Sequence, residues 1–387
     1  MNQMCNHVLA CRETAIAALL ALVASIGVAN DSSVIPPLPS DAFTVVVIPD
    51  TQHYLGPGTK IGERGSSMFP GMSEHPHIVA HSKISKAQPA EQISNVYLQN
   101  HVEWIVANKK SQNIVFVSHV GDIVEINRPE EWAVAKLHLD KLRGVVPFGL
   151  TVGNHDMKRD GDASLFQQAF PASSFNGDDW YLECYSHNRD DQHVSANNVN
   201  SAQLFSAGGI DFVFLHLECN APDDVLAWAS TVLENHSNRH ALITTHMDLG
   251  IIDKPKTTDG YIHDPKGRMR WLKIHPKRGN TAEQMWDKLY RKHANIRFVF
   301  SGDQSRVTAL QKSTTGDHGN EVHALLSDYM SRGGLRLLRF VPSKNQVQVI
   351  TYDSTLDQLV ESMPYVPDRN QHQFTIPYDF SARNQQP

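Results

Sequence analysis

Cysteine is scarce in this chain, with four in 387 residues, so a small disulfide-stapled scaffold is excluded. Cys5 and Cys11 lie ahead of an uncharged stretch at residues 14–29, and a chain trimmed after that stretch keeps only Cys184 and Cys219. One bridge is then permitted and not implied, because spacing says nothing about the approach of two Cα atoms. Long apolar runs are missing too. The stretch at 14–29 is rich in Ala and Leu but has only 16 residues, short of the roughly 20 that span a bilayer as a helix. With Gly27 and Ala29 supplying the small residues of a cleavage site, it reads as a signal-peptide core. The expectation is a signal peptide over 1–29, an exported protein, periplasmic or extracellular, and no membrane span once the signal is removed. An excess of positive charge is absent as well: 35 Lys and Arg against 41 Asp and Glu give a net charge of -6, which argues against a nucleic-acid surface. Low-complexity tracts are lacking, and 41% hydrophobic residues suffice for a sizeable core. The compositional surplus is histidine, with 21.

Residues 30–41 form a Pro-rich tether that cannot be helical. After it, Thr44 to Ile48 is a β-branched run closed by Pro49, and residues 91–108 carry Ile93, Val96, Tyr97, Trp104 and Ile105 at helical spacing. The order repeats with a strand at 113–120, a helix at 130–143 and a strand at 145–152. It repeats again with a strand at 210–217, a helix opened by Pro222 and a strand at 241–245. Thr281 and Gln284 have capping-box spacing at the start of a helix that feeds a strand at 296–301. Runs at 306–311, 321–326, 335–341 and 346–352 follow without a helix between them and predict an added block of antiparallel strands. The class is α/β: a single large domain over 42–355 with loop insertions, followed by a tail at 356–387. Two polar insertions stand out, residues 54–90, rich in Gly, Ser and His, and residues 249–280, which hold a basic run including Lys273. Trp104, Trp132, Trp228 and Trp286 fall on apolar helix faces and read as core.

Polar residues cluster just past the predicted core strands. The first ends in P-D-T-Q-H (49–53), the second in G-D (121–122) and the third in G-N-H-D (153–156); two more lead into His246 and G-D-Q-S (302–305). The carboxyl ends of parallel strands line the ligand crevice of α/β sheets, so Asp50, Asp122, Asn154, His246 and Asp303 should converge. Three carboxylates, an amide and an imidazole gathered together would repel and lose hydration unless a cation sat among them. Mixed oxygen and nitrogen donors without thiolate suit manganese, iron or zinc. The donors are too many for one tetrahedral ion, and two ions about 3.5–4 Å apart could polarise a phosphoryl group and activate water.

These motifs resemble those of the calcineurin-like metallophosphoesterases over roughly residues 42–355. The resemblance implies a four-layer β-sandwich flanked by helices, one or two divalent metal ions and a phosphorylated substrate. It places Asp50 and Gln52 at the ligand positions of Asp-x-His, makes Asp122 the bridging carboxylate and Asn154 a ligand, and casts His155 as the general acid for the leaving group. His246 matches the isolated histidine of the family. The closing Gly-His-x-His is replaced: Asp303 takes the first histidine position, where oxygen can ligate, and Ser305 the second, where a neutral hydroxyl ligates poorly. The ion held by Asp122, Asn154, His246 and Asp303 keeps a full set, and the one held by Asp50, Gln52 and Asp122 is expected to bind weakly or not at all. His53 follows Gln52 directly, and a neighbour in extended chain points the other way.

The reading is an exported, metal-dependent hydrolase of phosphate esters that uses a metal-activated water, with no covalent phosphoenzyme. Its rivals are a catalytically impaired metal-binding member of the same fold, favoured by Gln52 and Ser305, and a carbohydrate- or surface-binding module that uses no metal. Gly-Asp pairs are common in turns, and Asp156 reads either as a partner of His155 or as a loop carboxylate. The surplus histidines, among them His75, His77, His81, His216, His263 and His323, are read as exposed. The basic run from Lys254 to Arg278, interleaved with Asp253, Asp259 and Asp264, is read as a solvated loop. No residue is singled out for substrate binding, and neither substrate identity nor oligomeric state can be read from the chain.

Overall fold

Strand β1 (Phe43–Ile48, FTVVVI) is buried along its whole length. With side chains alternating between faces, such a strand must be covered on both sides. In a computed structural model, which describes residues 34–60, 74–89 and 91–380, that is how β1 lies. Val45 and Val47 point into a layer shared with a second sheet, while Val46 and Ile48 point to a layer covered by helices. The expected signal segment at 1–29 lies outside the described residues. From Ile35 onward the described chain forms one compact unit.

In chain order β1 is followed by α1 (Pro76–Lys86), α2 (Val96–Asn108), β2 (Ile114–His119), α3 (Pro129–Leu139), β3 (Phe148–Leu150), α4 (Ser164–Ala169) and β4 (Tyr181–Cys184). Next come β5 (Ser201–Ala207), β6 (Ile210–Leu217), α5 (Asp223–Asn235), β7 (His240–Thr245), β8 (Leu249–Ile251), α6 (Gly260–His263), β9 (Lys266–Arg268), α7 (Ala282–Lys288) and β10 (Ile296–Ser301). The chain continues through β11 (Ala309–Thr315), β12 (Glu321–Ser327), β13 (Gly334–Val341), β14 (Gln346–Asp353), β15 (Gln358–Leu359) and β16 (Phe374–Pro377).

One sheet runs β15-β14-β13-β1-β2-β3, with β16 also on β14; the other runs β11-β12-β10-β7-β6-β5-β4, and β8 pairs with β9 apart from both. Strands β1, β2 and β3 are parallel in the first sheet, as are β6, β7, β10 and β12 in the second. Helices α2, α3 and α4 cover the outer face of the first sheet. Helices α5 and α7 cover that of the second. The result is four layers, helix–sheet–sheet–helix, in an α/β fold.

The expected capping box is present: Thr281 Oγ1 accepts from Gln284 N at 3.2 Å, and Gln284 Oε1 accepts from Thr281 N at 2.9 Å. The late strands do not make an added block. β11 and β12 extend the second sheet, whereas β13 and β14 extend the first. Periodicity within a strand tells which face is buried and not which sheet the strand joins. Past residue 355 the chain stays with the first sheet, since β16 pairs antiparallel with β14 from Gln346↔Pro377 to Val349↔Phe374.

The layer between the sheets is largely phenylalanine. Phe43 stacks on Phe340 at 5.0 Å and Phe205 on Phe212 at 4.8 Å, with Phe298 and Phe300 completing the layer. Each such ring, fully buried, stabilises the fold by about 1.5–3 kcal/mol. The layer also sets how far apart the strand ends of the two sheets stand.

Candidate functional site

The five polar strand ends meet where the carboxyl ends of β1, β2 and β3 face those of β7 and β10. Thus the crevice lies between two sheets and not along one, as the open-sheet rule suggested. Oxygen and nitrogen atoms of Asp50, Asp122 and His246 lie within 4.8 Å of one another. Asp303 N donates to Asp50 Oδ2 at 3.1 Å, and His246 Nε2 is 3.1 Å from Asp122 Oδ1 and 3.4 Å from Asp303 Oδ1. His155 N donates to Asp122 Oδ1 at 2.9 Å, which draws the β3 loop carrying Asn154 onto the β2 loop. Gln52 joins them by donating Nε2 to Asp122 Oδ2 at 2.8 Å.

Backbone geometry makes this approach feasible. Asp122 and Asp303 both adopt left-handed conformations, with φ of 51° and 76°, which Asp and Asn tolerate better than most residues. A Cβ on Gly153 would sit 2.2 Å from Asp122 Oδ1, and one on Gly302 would sit 2.0 Å from Asp50 Oδ1. Only glycine lets these loops close on the carboxylates.

Four carboxylates crowd the cluster: Asp50, Asp122, Asp303 and Asp328 are all buried. Against them stand Lys273, whose Nζ is paired with Asp303 Oδ1, the His246 and His155 rings beside Asp122, and Arg332 beside Asp328. Burial, then Asp328, Asp122 and Asp303, push the Asp50 carboxyl well above its ordinary range. Asp328 is pushed up to about 7 by burial, with Asp303 and Asp122 adding to it. Burial opposes the charges on Asp122 and Asp303, yet His246 and His155 hold the first below its ordinary range, and Lys273 and His246 do the same for the second. Burial also opposes the charge on His246, but Asp122, Asp303 and Asp50 hold that ring well above its usual value. A dication would supply the charge that protons on Asp50 and His246 otherwise provide.

Two further observations fit a metal. Asn154 Oδ1 is buried without a hydrogen-bond partner, the condition of a carbonyl oxygen waiting for a cation. The His246 Nδ1 atom is 2.9 Å from the Val120 carbonyl, while Nε2 is buried among carboxylates with no aligned hydrogen bond. A ligating histidine is held in this way by its other ring nitrogen.

Ser305 turns away, donating to Asp328 Oδ2 at 3.3 Å. His53 does not swing in: its Nε2 lies 3.0 Å from Ser85 Oγ and its ring packs edge-on against Tyr97 at 4.8 Å. Nor does Asp156 orient His155. Its carboxylate accepts from Val124 N at 3.0 Å and Gly153 N at 2.8 Å, so it pins the loop. The His155 ring is instead fixed by Glu125, whose carbonyl lies 2.8 Å from Nδ1 and whose carboxylate is 3.8 Å away. Burial works against the charge on His155, but Asp122 and Glu125 prevail and raise its affinity for a proton.

Four residues of this neighbourhood escaped the sequence reading. Lys273, half-buried, comes from the run read as a solvated loop; Arg268 of that run is buried, while Lys254, Lys256, Lys266, Arg270 and Lys277 are exposed. Glu125 and its partner Lys60 left no signal in spacing. Asp328 did: it directly follows β12, a strand end like the other five. The surplus histidines are not uniformly exposed either. His263 is, but His77, His81, His216 and His323 are buried, with polar side chains supplying partners that sequence cannot show. Cys184, half-buried, and Cys219, buried, are both free. Among the described residues no helix is long and apolar enough to cross a membrane.

No family model matches the chain. An uncharacterized protein of Bacillus subtilis (strain 168), YvnB, is 25% identical over 348 residues, which is 87% of this chain. The chain spans only 21% of that relative's length. Among solved structures, the 5'-nucleotidase precursor from Thermus thermophilus aligns with a TM-score of 0.41 and 10% identity, covering 82% of this chain and 53% of that one. GAP50, the anchor in the inner membrane complex of Plasmodium, aligns with a TM-score of 0.46 and 10% identity, covering 89% and 90%.

Proposed function

We propose that this chain is an exported, metal-dependent hydrolase of phosphate esters, a divergent relative of the calcineurin-like metallophosphoesterases. The observation that carries the proposal is the buried cluster of Asp50, Asp122, His246 and Asp303, with His246 Nε2 among the carboxylates and Asn154 Oδ1, on the adjoining loop, left without a partner. Asp122, Asn154, His246 and Asp303 would hold one ion, manganese, iron or zinc by donor type. Asp50, Gln52 and Asp122 would hold a second one weakly, since Ser305 is engaged by Asp328. Bound there, a divalent ion polarises a phosphoryl group and lowers the pKa of a water molecule.

The chain's own residues supply the rest. His155, half-buried with Nδ1 committed to the Glu125 carbonyl, delivers a proton from Nε2 to the departing alcohol oxygen. The charges of Asp122 and Glu125 raise the affinity of the ring for that proton. Lys273, beside Asp303, adds positive charge to the cluster that would favour an anionic ester. Export belongs to the same reading and rests on the apolar run at 14–29.

The test is hydrolysis of an aryl phosphate and an aryl phosphodiester in manganese, comparing the wild type with Asp122→Asn and with chelator-treated protein. Loss of turnover in both is expected. Equal rates in all three would remove the enzyme, while metal retention without turnover in the wild type would leave the impaired metal-binding reading, which Gln52 and Ser305 favour.

A further inference from the structure

Helix α1 belongs to the polar insertion at 54–90, and the face it buries is unusual. Its buried residues are His77, Ile78, His81 and Ser85. Positions 77, 81 and 85 recur one turn apart, where a docked surface helix ordinarily places aliphatic side chains. Here they are two imidazoles and a hydroxyl. The rings of His77 and His81 lie 4.4 Å apart, and opposite them stands Asp353, the last residue of β14, fully buried.

The Asp353 carboxylate is divided between two tasks. Oδ1 accepts from Thr355 N and Leu356 N, both at 2.9 Å, and so ends the strand in a turn. Oδ2 faces the helix, 2.6 Å from His81 Nε2 and 3.6 Å from His77 Nδ1. The carboxylate has no room to retreat, because a Cβ at Gly333 would already be 2.2 Å from Oδ1. The far ring atoms, His77 Nε2 and His81 Nδ1, are buried without partners.

A simple hydrogen-bonded pair does not account for this arrangement. His81 takes the hydrogen bond to Oδ2. The second imidazole then faces the same oxygen at a distance too long for a hydrogen bond. A divalent cation resolves the conflict, since it accepts a lone pair from each imidazole and from the carboxylate together. One ligand atom from each of the three residues lies within 4.8 Å of the others.

We propose that His77, His81 and Asp353 form a second metal site, separate from the cluster around Asp122, which takes a zinc-class divalent ion and clasps helix α1 to β14. Two nitrogens and one oxygen, two of them at i and i+4 on one helix, are a donor set that zinc accepts with a fourth position open. The role is architectural.

The full chain, stripped with chelator and equilibrated with zinc chloride, should bind one more zinc ion per chain than the His77→Ala/His81→Ala double variant, as read by elemental analysis after dialysis. Asp122→Asn should keep this ion. Equal zinc content in the wild type and the double variant overturns the proposal. Should the double variant fail to fold, wild-type crystals soaked in zinc chloride decide the matter. An anomalous peak about 2.0–2.2 Å from the His77, His81 and Asp353 donor atoms is expected, and zinc confined to the Asp122 cluster overturns it.

Discussion

His216 is fully buried between Ser118 Oγ at 2.9 Å and Gln203 Oε1 at 2.7 Å. Burial alone pushes it down to about 3, so the folded protein holds this ring neutral. An unfolded chain holds it near 6.5. The folded value is the depressed one, so the contribution to stability is complete above about pH 6.5 and is lost as pH falls toward the folded value, because only the unfolded chain takes up the proton. Between pH 7.5 and 5.0 the loss is about 1.4 kcal/mol per pH unit over roughly 1.5 units, or about 2 kcal/mol, against a total stability of about 5–15 kcal/mol. Replacing the ring by a side chain that does not titrate removes this term and leaves the other titrating groups in place. His216→Gln should therefore be less stable than the wild type at pH 7.5, by about 1–2 kcal/mol for imperfect packing, and the gap should close or reverse by pH 5.0. Urea denaturation of both proteins at fixed metal concentration, at half-unit steps from pH 7.5 to 5.0, measures the gap directly. A gap that stays constant across that range would refute the assignment of a neutral buried imidazole.

Lys273→Met leaves Asp303 buried beside His246 without its ammonium partner. The metal-free variant should lose about 3–5 kcal/mol, and manganese chloride should recover more melting temperature in the variant than in the wild type; an equal metal-induced shift in the two would count against Asp303 as a ligand. Gly302→Ala drives a methyl group into Asp50 Oδ1 and Val120. A modest stability loss of about 1–3 kcal/mol together with at least tenfold weaker metal binding is expected in titration calorimetry, and unaltered metal affinity would show that Asp50 takes no part. His155→Ala should slow hydrolysis of an alkyl phosphate by about 100- to 10,000-fold and that of a nitrophenyl phosphate far less, because the latter leaving group departs without a proton. An equal loss on both substrates would refute the proton-donor role.

Much of the fold is legible in residue type. β1, β2, β6, β7 and β10 are β-branched and aromatic runs closed by turn residues, and their buried lengths match that reading. Helix α1 is invisible to the same logic because its buried face is His, His and Ser, which no hydrophobic periodicity detects. Strand β4 escapes because its residues are half-buried or exposed at the edge of its sheet. The division of the late strands between two sheets escapes because a strand's pattern does not name its partner, and β12 pairs with β10 while β13 pairs with β1. At the site, Asp50, Asp122, Asn154, His246 and Asp303 are legible because chain direction alone puts strand ends together. Lys273 is not, since it arrives from a long connection whose path depends on contacts distant in sequence, such as Asn220 Oδ1 accepting from Lys273 N at 2.9 Å.

The seam between the sheets has a consequence for how the protein tolerates change. Asp50, Asp122 and Asn154 ride on one sheet and His246 and Asp303 on the other, with the stacked rings of Phe43 and Phe340 as part of the spacer. Trimming a ring in that spacer should let one half of the crevice shift against the other. Metal affinity at the crevice should fall with it, so aromatic residues remote from any ligand atom would behave as the calibration of the instrument.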